Sequence, residues 1–275
     1  ASPLRDVYKR QYRYALMRFS VLGSGSRGNA VFVEASETAI LIDCGFSGRE
    51  ISTRLESIGV GMDDLNAIFI THEHHDHTSG AGVVSRRCRI PLFANRQTYE
   101  NGGKRLHKPH QHREFDTGES IVFRDLIIRS FSLSHDAADP VGFIVSDGDV
   151  SLGVCTDTGI ISKLLRHRLQ GCNGLILEFN HDAWMLQSGP YPLPLKQRVQ
   201  SNKGHLANHD GAALLEALIH PRLQWVVAAH LSEINNVPDL VHQATSSIFN
   251  DQSTDARFRV SGQHRPTEVF KLHNR

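Results

Sequence analysis

The sequence predicts a mixed α/β fold in a single large domain, and three observations support this prediction. Short apolar or alternating runs, which are typical of strands, outnumber the segments with helical periodicity. Several of these runs end in a histidine or an aspartate. The chain of 275 residues contains no repeat, low-complexity tract or interdomain linker that would divide it.

The predicted strands are bounded by turn-forming residues and span 18–22, 30–34, 39–43, 67–71, 90–94, 121–133, 141–146, 150–156, 174–179, 224–229 and 257–261. Four helices are predicted over 47–58, 78–88, 159–170 and 209–219. Ser47 is a residue type favoured at helix N-termini, and Pro221 ends the last helix. Strands therefore dominate the predicted fold.

The composition is that of an ordinary globular protein, with 40% hydrophobic and 21% charged residues. No apolar stretch approaches the roughly 20 residues that span a bilayer, so a cytoplasmic protein without a membrane partner is expected. The net charge of +1 argues against a surface devoted to non-specific nucleic-acid binding. The four cysteines have no C-x-x-C spacing, which argues against a thiolate metal site.

The first residues do not fit the pattern that follows, because the first predicted strand begins near Met17. We therefore expect residues 1–16 to be a non-native or disordered extension and residues 17–275 to form the single domain. Met17 is the expected native start.

The run His72–His77 places five possible metal ligands in six residues, directly after an apolar predicted strand. It has the pattern H-x-H-x-D-H, and a loop leaving a strand can aim residues i and i+2 at one point, which a helix cannot. Imidazole and carboxylate groups suit a divalent ion such as Zn²⁺ or Mn²⁺, with Fe²⁺ also possible. The run predicts a two-metal site.

Three further candidate ligands, His135, Asp157 and His230, each follow an apolar predicted strand. Side chains at the same ends of neighbouring strands converge on one sheet edge, where α/β folds commonly build their sites. We expect these residues to meet the histidine run there.

These motifs resemble those of the metallo-β-lactamase superfamily from about Arg18 onward. Within it the chain is similar to the YycJ/WalJ group of small metal-dependent hydrolases. The phrases that carry the resemblance are Leu41–Gly45 with Asp43, His72–His77, Thr156–Gly159, Gly23–Asn29, Ser134–Gly142, Glu178–Asp182, Gly204–Asn208 and His230–Asn236.

The resemblance implies a four-layer αββα sandwich with two metal ions between the sheet edges. It implies that one ion binds His72, His74 and His135. The other would bind Asp76, His77 and His230, with Asp157 bridging the two. Asp43 is a plausible acceptor that orients a ligand imidazole, or else a cap of its strand end. Glu73 and His75 are expected to point away from the metals.

The group resemblance also implies a DNA exonuclease, acting 5′ to 3′ and linked to DNA repair. Two divalent ions about 3.5–4 Å apart can hold the attacking and leaving oxygens of an in-line displacement and lower the pKa of a shared water. Asp76 and Asp157 would then be catalytic. His205 is a candidate for contacting the phosphate or protonating the leaving group, and otherwise a core histidine.

Substrate contacts are predicted from weaker signals. The Gly-rich stretch with Ser24, Ser26, Arg27 and Asn29 can bring backbone N–H groups to a phosphate, or can be an ordinary turn. Asn180 and His181, with His205, are expected to line the same cleft. The basic segment 104–113 can track a nucleic-acid backbone or be a solvated loop. The proline-rich stretch 188–194 is predicted to be a surface arm beside the cleft rather than a helix.

Two alternative functions stay open at this point. The first is hydrolysis of small phosphodiesters or thioesters, because the 73 positions between Asp157 and His230 leave no room for the strand-clamping β-CASP domain of related RNA nucleases. The second is a non-catalytic metal-binding module, whose signature would be the loss of ligands. The complete ligand set argues against this second alternative.

Overall fold

Two seven-stranded sheets pack face to face, and helices cover the outer face of each. This is the four-layer αββα sandwich that the resemblance to the metallo-β-lactamase superfamily implies. The computed structural model describes residues 17–106, 108–250 and 254–274. The expectation about residues 1–16 falls outside this range and stays a prediction.

The first sheet has the order β14-β1-β2-β3-β4-β5-β6. Its strands are β1 (Met17–Gly23), β2 (Ala30–Ala35), β3 (Thr38–Ile42), β4 (Leu65–Phe69), β5 (Pro91–Ala94), β6 (Gln111–Glu114) and β14 (Phe270–Leu272). The pairs from β3 to β6 are parallel, and those on the other side are antiparallel.

The second sheet has the order β13-β12-β11-β10-β9-β8-β7. Its strands are β7 (Ser120–Phe123), β8 (Leu126–Ser132), β9 (Val141–Ser146), β10 (Ser151–Cys155), β11 (Gly174–Glu178), β12 (Trp225–Ala229) and β13 (Arg257–Val260). Strands β10 to β13 are parallel. Strand β9 is antiparallel to both β8 and β10, so β8 and β10 run in the same direction. The ends of β8, β10, β11 and β12 therefore lie at the same edge.

The helices are α1 (Gly48–Ser57), α2 (His75–Thr78), α3 (Ala81–Cys88), α4 (Arg96–Asn101), α5 (Lys163–Leu169), α6 (Ala183–Ser188), α7 (Leu193–Val199), α8 (Asn208–Leu218) and α9 (Pro238–Asn250). Apolar residues of α1 and α3 pack on the first sheet, and those of α5, α8 and α9 pack on the second. None of the helices in the described part of the chain combines the length and apolar character that a membrane crossing needs.

The core between the sheets is rich in phenylalanine. Phe69 stacks on Phe93 with ring centroids 4.4 Å apart, and its edge meets Phe143 of the opposite sheet at 6.0 Å. All three rings are buried. This packing fixes the two sheets against each other, and so fixes the spacing of the polar residues that follow β4 and those that follow the strands of the second sheet.

The structure departs from the predicted elements in identifiable places. The predicted strand 121–133 is a hairpin, because Arg124 adopts a φ of 54° in a two-residue turn between β7 and β8. The predicted helix 78–88 is divided into α2 and α3, and the helix predicted over 159–170 begins only after its cap Ser162. Strands β6 and β14 and helices α4, α6, α7 and α9 were not predicted.

The prediction that 188–194 contains no helix was partly wrong. Pro192 is the N-cap of α7 and Pro194 lies in its first turn. Backbone N–H groups in the first turn have no acceptor within the helix, so the missing N–H of proline breaks no helical hydrogen bond. The stretch does lie beside the cleft described below, which Tyr191 lines.

Candidate metal centre

Two groups of candidate ligands meet where the two sheets end. His72, His74 and His135 form the first group, with donor atoms within 4.8 Å of one another. The second group is Asp76, His77 and His230. His72 and His74 lie in the loop after β4, whereas His135 comes from the loop after β8 in the other sheet. The sequence-predicted residues are thus brought together.

Asp157 lies between the two groups. Its carboxylate oxygens are 3.4 Å from Nε2 of His77, 3.4 Å from Nε2 of His230 and 3.8 Å from Nε2 of His135. Two ligands each about 2.1 Å from a tetrahedral Zn²⁺ stand roughly 3.4 Å apart. The observed separations therefore match those of atoms that share a cation.

The buried polar atoms of this cluster have the unmet bonding capacity that a cation would satisfy. Within the described residues, Nε2 of His72, Nε2 of His230 and Oδ2 of Asp157 are buried without a hydrogen-bond partner. Buried polar atoms are normally paired, and leaving one unpaired costs about 1–3 kcal/mol. The residues present therefore fit a divalent metal, whose identity the donor set leaves open.

Three residues at strand ends adopt left-handed backbone conformations. The φ angles are 60° at Asp43, 63° at Asp157 and 58° at His230. Residues other than glycine rarely adopt positive φ, and such conformations concentrate at functional sites. Each of the three residues follows the end of its strand, and its side chain contacts another residue of the cluster.

Asp43 orients the histidines of the metal cluster. Its Oδ2 atom accepts a hydrogen bond from Nδ1 of His77 at 2.7 Å, and both residues are buried. The Thr71 backbone N–H and hydroxyl also donate to the Asp43 carboxylate. The bond to Nδ1 leaves Nε2 of His77 facing the other ligands. Asp43 is therefore the orienting acceptor, the first of the two roles considered from the sequence.

Glu178, at the end of β11, has a role that the sequence left open. Its Oε1 atom lies 2.8 Å from Nδ1 of His205 and 2.9 Å from Nδ1 of His230. Its Oε2 atom accepts from the backbone N–H groups of Thr158 and Leu206. One fully buried carboxylate therefore orients a candidate ligand and a candidate catalytic histidine.

The loop between β1 and β2 supports the cluster from inside the protein. The Asn29 side chain donates to Oδ2 of Asp76 at 3.1 Å, and its N–H donates to the Asp76 carbonyl at 2.7 Å. The Ser24 hydroxyl accepts from the N–H of His230 at 2.8 Å. Gly45 allows this close approach, since a Cβ there would lie 1.7 Å from the Asp76 carbonyl oxygen.

The carboxylates set the electrostatics of the cluster. Burial opposes protonation of His230, but Asp157, Asp76 and Glu178 outweigh it and raise the pKa of His230 to about 10. Burial likewise opposes protonation of His77, and Asp157, Asp43 and Asp76 raise its pKa well above the usual value. Burial and the neighbouring histidines lower the pKa of His72. The negative potential that retains protons on His77 and His230 equally favours a divalent cation.

An open cleft leads from the surface to these ligands. Among the residues predicted to bind substrate, Ser26, Asn180 and His205 line it. Ser24, Asn29 and His181 are buried. Arg27 pairs with Glu233 at 2.7 Å and lines a neighbouring groove.

The structure gives little support to the predicted substrate contacts of His181 and of the basic segment. Burial lowers the pKa of His181 to about 4, which disfavours a charged imidazole that would bind phosphate. In the segment 104–113, β6 forms the sheet edge, and Arg105 donates to Thr78 and to the Glu73 carbonyl. Neither His181 nor the described residues of the segment, 104–106 and 108–113, line the cleft.

The sandwich and the histidine and aspartate cluster at its sheet edges define a metal-dependent hydrolase. The β-lactamase superfamily domain matches residues 38–227. The chain belongs to the metallo-β-lactamase superfamily.

Two relatives cover most of the chain. Exodeoxyribonuclease WalJ of Streptococcus pneumoniae serotype 2 is 38% identical over 229 residues, which are 82% of this chain and 85% of the relative. Exodeoxyribonuclease YycJ of Bacillus anthracis is 34% identical over 261 residues, or 94% of this chain and 95% of the relative.

Solved structures with little sequence identity share the fold. The metallo-β-lactamase fold protein YhfI from Bacillus subtilis superposes with a TM-score of 0.72 at 15% identity, over 94% of this chain and 99% of that one. The short form of human tRNase Z gives a TM-score of 0.61 at 16% identity, over 91% and 98% of the two chains. These similarities concern the fold alone.

Proposed function

We propose that this enzyme is an exodeoxyribonuclease that hydrolyses the phosphodiester bonds of DNA, in the 5′ to 3′ direction, with two divalent metal ions. The observation that carries the proposal is the joint presence of a complete two-group ligand cluster and of exodeoxyribonuclease relatives that cover at least 82% of this chain. A role in DNA repair is the biological context that we propose for this activity.

For the metal ions we propose the ligands that the family resemblance implies. His72, His74 and His135 would hold one ion, Asp76, His77 and His230 the other, and Asp157 would contact both. The separations of about 3.4 Å between neighbouring donor atoms support this assignment. Zn²⁺ and Mn²⁺ are the proposed ions, because imidazole and carboxylate groups bind both.

The chemistry divides between the ions and the protein. When bound, the two ions neutralise charge on the phosphate and lower the pKa of a water molecule at the cleft floor. Asp76 and Asp157 would help to hold the ions there, since each has a carboxylate oxygen within 3.6 Å of Nε2 of both His77 and His230. His205, held by Glu178 through Nδ1, lines the cleft, where its protonated imidazolium form can donate a hydrogen bond to the phosphate or a proton to the leaving oxygen.

For substrate binding we propose that Ser26 and Asn180 contact the DNA directly. Asn180 lines the cleft and its side chain also donates to the His230 carbonyl at 2.9 Å, which fixes its position. We assign Ser24 and Asn29 to positioning His230 and Asp76 from below. Hydrolysis of small phosphodiesters or thioesters is not favoured, since the relatives that cover most of the chain are exodeoxyribonucleases.

The test compares 5′-labelled and 3′-labelled DNA strands, single and duplex, with bis-p-nitrophenyl phosphate and a thioester, each with Mn²⁺ or Zn²⁺. We expect stepwise release of nucleotides from the 5′ end of DNA. The matched inactive variant is Asp157→Asn, because asparagine tolerates the positive φ at this position. Turnover of the thioester alone, or DNA cleavage that survives in Asp157→Asn, would contradict the proposal.

A further inference from the structure

One wall of the cleft differs in chemistry from the rest. Five of the candidate ligands line the cleft (His74, Asp76, His135, Asp157 and His230), and so do Tyr191, Leu195, Arg198 and Val199. The spacing of Leu195, Arg198 and Val199 places them on one face of α7, and Tyr191 directly precedes the N-cap Pro192. An aromatic ring, two aliphatic side chains and a guanidinium therefore face the site together. We call these four residues the α7 wall.

The α7 wall is held at a fixed distance from the candidate catalytic residues. The Val199 carbonyl accepts a hydrogen bond from the N–H of His205 at 2.9 Å. The carbonyl of the preceding residue, Gly204, accepts a hydrogen bond from Nδ1 of His135 at 3.1 Å. A Cβ at Gly204 would lie 2.1 Å from the Val199 carbonyl oxygen, so only glycine allows this contact. The end of α7 is thereby tied to the metal cluster.

Arg198 places a positive charge at the rim of the cleft. Its Nε donates to Oδ2 of Asp136 at 2.5 Å, and the side chain is 56% exposed. This hydrogen bond raises the pKa of Arg198. One N–H is used in this pair, and a guanidinium carries five, so further donors can reach a phosphate.

We propose that the α7 wall binds the terminal nucleotide of the DNA strand. The base lies against the ring of Tyr191 and the side chain of Leu195, and Arg198 contacts the backbone phosphate next to the scissile bond. This inference rests on the proposed exonuclease function and adds a nucleotide-recognition site to it. An apolar and aromatic surface beside a polar, cation-binding floor matches the two halves of a nucleotide, a flat base and an anionic phosphate.

The test uses single-stranded oligonucleotides that end either in a normal nucleotide or in an abasic tetrahydrofuran residue, placed at the 5′ end in one set and at the 3′ end in another. Base stacking on an aromatic side chain increases binding by roughly tenfold. We expect the wild-type enzyme to prefer the base-containing end by about this factor in kcat/KM. Tyr191→Ala should reduce the preference to near one, and Tyr191→Phe should retain it.

Two further variants separate the parts of the α7 wall. Arg198→Ala should raise KM for the normal and abasic substrates by the same factor, because it removes a phosphate contact that both substrates make. Leu195→Ala should weaken the preference for the base. Leu193→Ala is the matched control, since Leu193 lies on the same helix but is 64% exposed and does not line the cleft.

The outcomes distinguish this inference from the function on which it depends. Equal loss of activity on both substrates in Tyr191→Ala, with the preference unchanged, would overturn the base contact while leaving the exonuclease intact. A wild-type enzyme with no preference for the base would overturn it too. Failure of the wild type to cleave either oligonucleotide with Mn²⁺ or Zn²⁺ would overturn the proposed function and, with it, the role of the α7 wall.

Discussion

The carboxylate of Glu178 lies 2.8 Å from Nδ1 of His205, and the same oxygen atom lies 2.9 Å from Nδ1 of His230. The orientations of both imidazoles therefore depend on one buried group. Since Nδ1 of His230 is engaged with Glu178, its Nε2 lies toward the cluster, 3.4 Å from Oδ1 of Asp157. This arrangement couples a proposed metal ligand to the residue that we propose contacts the phosphate.

Glu178→Gln should weaken activity without abolishing the fold. The amide has one oxygen in place of two, whereas Glu178 accepts from two imidazoles and from two backbone N–H groups. We expect a loss of about 10–100-fold in kcat or metal affinity. DNA cleavage rates and elemental analysis of the purified variant measure the two effects, with circular dichroism to verify folding.

Glu216→Gln, an exposed substitution of the same kind on α8, serves as the control for Glu178→Gln. Wild-type turnover and metal content in Glu178→Gln would show that its buried carboxylate does not orient the site.

Asp43→Asn should lower metal affinity at the group that contains His77. Asparagine accepts the φ of 60° at this position, so the backbone is retained while the charge is lost. Asp43 accepts from the Thr71 N–H through Oδ1 and from His77 through Oδ2, and the amide has only one oxygen to accept both bonds. We expect the affinity for one of the two ions to fall about 10–100-fold, measured by competition with a chromogenic chelator. Asp63→Asn, at an exposed position, is the control and should bind both ions with wild-type affinity. Wild-type affinity for both ions in Asp43→Asn would contradict the orienting role of Asp43.

The stabilisation that metal provides should grow with pH. The folded-state pKa of His230 is about 10, and that of His77 is also raised above the unfolded value. Without metal, their contribution to stability is fully present below pH 6.5 and declines as the pH rises toward 10 for His230. With metal, the imidazoles must be neutral, so binding improves as protons leave. The difference in Tm with and without chelator should widen from pH 6.5 to 8.5, and a constant difference would contradict this account.

Gly45→Ala should destabilise the protein and disturb the site together. The new Cβ would lie 1.7 Å from the Asp76 carbonyl oxygen and 2.6 Å from the Asn29 nitrogen, so the backbone must move. We expect a loss of about 1–3 kcal/mol in the free energy of unfolding, measured in urea, together with reduced metal content. Gly262→Ala is the matched control, because a Cβ there meets no atom within 4 Å. Equal stability of the two variants would show that the contact at Gly45 is not restrictive.

The fold class and the candidate ligands could be predicted because both are marked by short, local sequence patterns. Histidine and aspartate after an apolar strand, as at Asp157 and His230, mark a sheet edge without knowledge of the partners. Strand β6 was missed because its sequence, Gln111–Glu114, is polar and forms an edge. Helix α7 was missed because prolines argue against a helix unless they fall at its start, where Pro192 is the N-cap and Pro194 lies in the first turn.

The contacts that orient the site could not be predicted, because they join residues far apart in sequence. Glu178 is separated from His205 by 27 positions and from His230 by 52. Arg198 and Asp136 are 62 positions apart, and neither lies in a distinctive motif for such a pair. These pairings follow from the packing of the second sheet and its helices, and local patterning carries no information about that packing.

The proposed chemistry requires two cations held by side chains from both sheets, and anomalous diffraction from crystals grown with Mn²⁺ or Zn²⁺ tests their presence most directly. We predict two peaks about 3.5–4 Å apart. One should lie about 2.0–2.2 Å from nitrogens of His72, His74 and His135, and the other at that distance from Asp76, His77 and His230, with Asp157 contacting both. A single ion, or ions bound away from these residues, would contradict it.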